Sequence, residues 1–124
     1  MTRINVGIKP KELPNKLLLA EHREIKRIPN MVRLGRTNMQ NIPTQFTLGT
    51  GHVKFFYNKL GYIKKRYIEI YLECISRSLN VTYYGDSFDG IPENLMNDYE
   101  ETLNDRLILL ERIHSKGFKL LSEQ

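Results

Sequence analysis

Three groups of residues in this 124-residue chain have types and spacings suited to chemistry. The opening Met1-Thr2-Arg3-Ile4-Asn5 puts a small residue second, so removal of the initiator methionine would expose the Thr2 α-amine. An α-amine titrates at about pH 7.7–8.0. A substantial fraction is therefore neutral at physiological pH and able to attack a carbonyl-like carbon, forming a Schiff base. The second group is Glu21 and Glu24. At about 100° per residue on a helix, Leu17, Glu21, Glu24, Ile25 and Ile28 share one face, so two carboxylates meet an apolar stripe. Glu21, nearer the centre, reads as a structural acid paired with an arginine or backbone donors. Glu24 lies at the edge, where burial raises a carboxyl pKa and arginines lower it. The third group, Arg23 and Arg27, is one turn apart and suited to neighbouring phosphates.

These residues need elements to position them. Gly7, Pro10 and Pro14 make residues 1–14 an extended arm. Asn15 is placed to cap a helix over Lys16 to Ile28, composed of good helix formers and ended by Pro29 and Asn30. Residues 31–50 are rich in Gly, Asn and Pro and read as a loop with room for one helical turn; Gly49-Thr-Gly-His52 ends it and starts the next helix, with His52 either structural or a support behind the groups that do chemistry. From Val53 to Leu79, apolar residues recur at three- and four-residue steps, which predicts one amphipathic helix or two joined at Gly61. Glu69, Glu73 and Arg77 form an outer ladder in which Arg77 is solvated. Irregular chain is expected over 80–97. Leu103, Leu107, Leu110 and Ile113 mark a third helix, interrupted at Gly117. The fold class is all-α: a single domain over residues 1–124, with three main helices, an extended N-terminal arm and long irregular loops.

Composition removes other classes of function. The longest apolar run, Leu17 to Ala20, is far short of a membrane span of roughly 20 residues, and no apolar signal segment opens the chain. The expectation is a soluble intracellular protein. One cysteine, Cys74, offers no internal disulfide, and three scattered histidines offer no metal site, so neither metal nor cofactor is expected. A net charge of +5 hints at a polyanionic partner without deciding it.

A resemblance sharpens this. Thr2-Arg-Ile-Asn5, Ala20-Glu-His-Arg-Glu-Ile-Lys-Arg27, and the run Pro43-Thr-Gln-Phe-Thr-Leu-Gly-Thr-Gly-His-Val-Lys-Phe-Phe-Tyr-Asn-Lys-Leu60 resemble the phage pyrimidine-dimer DNA glycosylase and abasic-site lyase family, also called endonuclease V. The similarity continues through Lys65-Arg-Tyr-Ile-Glu69 and Glu73-Cys74 to Asp98-Tyr99. It implies base excision on pyrimidine dimers in double-stranded DNA, with incision at abasic sites. By the resemblance, the Thr2 amine attacks the sugar of the damaged nucleotide, and Glu24 stabilises the cationic sugar and imine and assists proton transfer. Arg3, Arg23 and Arg27 hold phosphates around the kinked lesion, while Arg106 and Arg112 correspond loosely to DNA-contacting basic residues of the last helix. A monomer is implied, working in the host-cell cytoplasm if the protein is viral.

The chain departs from the family in three places. Leu17 stands where the family has a histidine. The stretch from Arg27 to Pro43 is shorter and less basic. The aromatic, lysine-bearing C-terminal segment is replaced by Lys116-Gly-Phe-Lys-Leu-Leu-Ser-Glu-Gln124, leaving Phe118 as its one aromatic. Two alternatives follow: a catalytically inactive DNA-binding relative, or the same chemistry on another base lesion.

Overall fold

The computed structural model describes residues 2–124. Helix α1 runs Asn15–Ile25, with Pro14 as its N-cap in extended conformation. The chain does not stop at Pro29 as expected. A break at Lys26 is followed by α2, Arg27–Arg33, with Pro29 in its first turn. The first four N–H groups of a helix have no partner inside it, so a proline there forfeits no helical hydrogen bond.

The central apolar segment folds as two helices, α3 (His52–Phe55) and α4 (Leu60–Ser76). The joint precedes Gly61, which lies in the first turn of α4. Gly61 is required there by a close approach: a Cβ would stand 2.5 Å from the Met96 carbonyl oxygen. An isolated antiparallel bridge between Lys59 and Met96 marks the same approach. Residues 80–97 are irregular apart from short 3-10 turns at Gly85–Phe88 and Glu93–Leu95. Helix α5, Leu103–Ser115, opens with a reciprocal cap in which Asp105 N–H donates to Thr102 Oγ1 at 3.1 Å and Thr102 N–H to Asp105 Oδ2 at 3.0 Å. The architecture is all-α, with α1, α4 and α5 as the long members.

The core forms where α1 meets α4, through Leu18, Ile25, Ile63, Tyr67 and Ile70, all fully buried. The arm belongs to this core too, since Ile4, Val6, Ile8 and Leu13 are equally inaccessible. Burying such side chains stabilises by roughly 1.5–3 kcal/mol each, which fixes the arm's course. Phe46, Phe55 and Phe56 pack edge to face around α3 and tie the 34–51 loop to it. Arg77 is not solvated. Its guanidinium donates to the carbonyls of Leu13 at 2.7 Å and Pro10 at 3.2 Å, and pairs with Glu73 at 2.8 Å. A residue one turn beyond an outward charge can fold back onto chain that has no periodicity of its own, and the arm supplies the carbonyls. Among the described residues no helix is long and apolar enough to cross a membrane.

Candidate active site

Side chains from four helices and from the segment preceding α5 grip the arm's polar groups. Ile4 N–H donates to His52 Nε2 at 2.9 Å, and Asn5 Nδ2 donates to Glu21 Oε1 at 2.7 Å. Gly7 N–H donates to Glu101 Oε2 at 3.0 Å, while the Gly7 carbonyl accepts from Arg106 at 3.0 Å. The Ile8 carbonyl accepts from Arg66 at 2.9 Å. Thr2, where the described segment begins, is 8% exposed. Met1 lies outside the described residues, so its removal is not part of this geometry.

Glu21 lies at the centre of the network. Its carboxylate takes two bonds from Arg66, one of them at 3.1 Å to Nη2, and both residues are almost wholly buried. Burial alone would depress the Arg66 guanidinium, but the Glu21 charge and hydrogen bonds more than offset it and the pKa rises. The structural role expected of Glu21 holds. Arg66 is a residue that sequence reasoning missed, although a signal existed: it falls on the inward stripe of α4 between Ile63 and Ile70, a charge at an apolar position. An inward acid on one helix and an inward arginine on another are complementary defects that resolve each other.

Glu24, one turn along the same face, is in a different situation. Its side chain is 15% exposed and its ion pair is a long one, 3.4 Å to Arg23 Nη2. Arg23 is 62% exposed. Arg27 is exposed as well, and among the described residues it forms no ion pair. These positions agree with the edge-of-stripe geometry derived from spacing.

Arg3 and Arg112 come together from the arm and α5. With Leu17, Ile113, Lys116 and Phe118 they line a cavity of about 150 Å³ with an apolar floor and a basic rim. Burial lowers the Arg3 pKa, and the nearby Arg112 charge lowers it further. Lys116 is a second residue that sequence reasoning missed, though its spacing of four from Arg112 places it on the same face. Arg106 is elsewhere. It forms a two-pronged pair with Glu12, both contacts 2.8 Å, besides its bond to Gly7. That pairing is the main cause holding the Glu12 carboxyl down at about 2. An arginine so engaged is a clamp on the arm, its guanidinium bonded to Glu12 and to the Gly7 carbonyl.

The arrangement thus combines a gripped N-terminal segment, a carboxylate at the margin of a packed face, and basic groups on either side. A sequence model of the family described as pyrimidine dimer DNA glycosylase matches residues 1–84, a stretch containing the whole arm, α1 and α4.

Proposed function

The chain belongs to the pyrimidine dimer DNA glycosylase family, and from that premise we propose that it is a bifunctional glycosylase and abasic-site lyase acting on pyrimidine dimers in duplex DNA. The nucleophile is the Thr2 α-amine, freed by loss of Met1. Its nitrogen bonds to C1′ of the damaged nucleotide, and the C1′–N glycosidic bond breaks with its electron pair leaving on the pyrimidine. Loss of an amine proton and opening of the sugar ring give the protonated imine. Removal of a C2′ proton then expels the 3′ phosphate by β-elimination. Glu24 stabilises the cationic sugar and imine and carries the protons.

The observation that supports this most is the anchoring of the arm against α1, through Asn5 to Glu21, one turn from Glu24. A nucleophile at the end of a floppy chain would spend most of its time elsewhere, whereas a gripped arm supplies the orientation from which intramolecular-like rates derive. Glu24, with only a long partner contact, keeps lone pairs for reacting atoms. Arg23 on the exposed face of α1 and Arg27 at the start of α2 take phosphates. Arg3 and Arg112 take another, and an anion between them relieves the repulsion that their proximity creates. The protein acts as a monomer, inside the cell, and in the host cytoplasm if viral.

A second reading keeps the chemistry and changes the lesion, favoured by the apolar Leu17 and Phe118 walls of the basic cavity. The test is incision of duplexes carrying one thymine dimer, one abasic site or no damage. Cutting at the dimer and abasic site alone is expected. Cutting only at the abasic site selects another lesion, and salt-sensitive binding without incision selects a catalytically inactive relative.

A further inference from the structure

Building on the Thr2 assignment above, we propose that His52 is a positioning residue for the N-terminal amine, holding the part of the arm nearest Thr2 through an N–H···N hydrogen bond to Ile4. The Ile4 N–H donates to Nε2 at 2.9 Å, so Nε2 carries no proton. The ring proton is therefore on Nδ1, which donates to the Thr47 carbonyl at 2.9 Å. One tautomer satisfies both bonds and the other satisfies neither. The ring is 2% exposed and is flanked by Phe46 and Phe56, each with its centroid 5.5 Å away and meeting it near a right angle. Imidazole orientation is thus set on every side by groups outside the arm.

The position along the chain gives this contact its consequence. Ile4 is two residues from Thr2, so the amine lies within about 7 Å of the anchored nitrogen. A displacement of about 1 Å at a reacting atom can cost on the order of a hundredfold in rate. Burial, with Arg3 adding to it and the Thr47 carbonyl opposing, holds the ring down at about 4. Its acceptor nitrogen is consequently open at physiological pH.

Two substitutions separate positioning from filling of space. Glutamine reaches the place of Nε2 and can accept from Ile4, whereas asparagine reaches the place of Nδ1 and can only donate to Thr47. The experiment is single-turnover borohydride trapping on an abasic-site duplex at saturating DNA, with Kd measured separately. His52→Gln is expected within about threefold of the parent rate and His52→Asn at least tenfold slower, with Kd within about twofold in both. Equal rates in the two variants, whether fast or slow, overturn the inference, as does a loss confined to Kd. Parent protein lacking Met1 that forms no adduct instead defeats the Thr2 assignment. Should either variant not fold, scalar coupling across the hydrogen bond between the Ile4 amide nitrogen and His52 Nε2 decides in ¹⁵N-labelled parent protein. A coupling is expected, and a protonated Nε2 overturns the inference.

Discussion

Glu21 and Glu24 lie three residues apart on one helix and live in opposite surroundings. Glu21 is sealed against Arg66 and Asn5, each of its oxygens bonded within the protein. Glu24 sits at the rim with one long contact to an arginine that is itself mostly in solvent. The same division separates the arginines. Arg66, Arg77 and Arg106 grip the arm, whereas Arg23 and Arg27 point into water. Residues of one chemical type thus either tie elements together or stay open to solvent, and the number and quality of their partners distinguishes the two better than residue type does.

The largest effects are expected where that division is broken at the carboxylates. Glu24→Gln should retain DNA affinity and lose about 10²–10⁴ in turnover. Glu21→Gln should instead leave buried Arg66 with only the longer contact to Glu101, 3.8 Å away, and cost up to about 3–5 kcal/mol of stability, read as a fall in the urea midpoint. If both variants fold normally and lose activity alike, the two acids are not different in kind. For the arginines, Arg23→Ala and Arg27→Ala should each lower the salt slope of DNA binding by about 1. Arg106→Ala should leave that slope unchanged and destabilise the protein.

A smaller effect separates the two regions by pH. His52 has a folded pKa of about 4 against an ordinary 6.5, so the unfolded chain binds more protons between those values. Stability from this group is full above about pH 6.5 and declines as pH falls toward 4, by about 3 kcal/mol at most. Glu12, held at about 2 through Arg106, contributes a second decline between about pH 4.5 and 2. His52→Gln should flatten the first decline and leave the second. The first should soften without vanishing, because burial also lowers His22.

Much of this molecule is legible in its sequence. Helical periodicity locates α1, α4 and α5, and the phase of Leu17, Glu21 and Ile25 places one acid inward and one at the rim. The arm is harder. It has no regular period, so nothing in its own residues reveals that Arg77 and Arg106, which read as surface charges on their helices, fold back onto its carbonyls. Long-range pairing between a helix side chain and irregular backbone leaves no local signature. Pro29 misleads for a different reason: it marks a helix boundary in either direction, and here it lies in the first turn of α2 instead of ending α1. His52 leaves only a weak trace, since a histidine after Gly-Thr-Gly carries no sign of which ring nitrogen the distant Ile4 will occupy.

The most direct test of the central claim is borohydride trapping of the protein on a duplex carrying one defined thymine dimer, with mass mapping of the linked peptide and of the free N-terminus. The gripped arm and rim carboxylate predict a chain beginning at Thr2 and a covalent adduct on its α-amine. An adduct mapped to a lysine side chain, or none from a chain confirmed to have lost Met1, would contradict it.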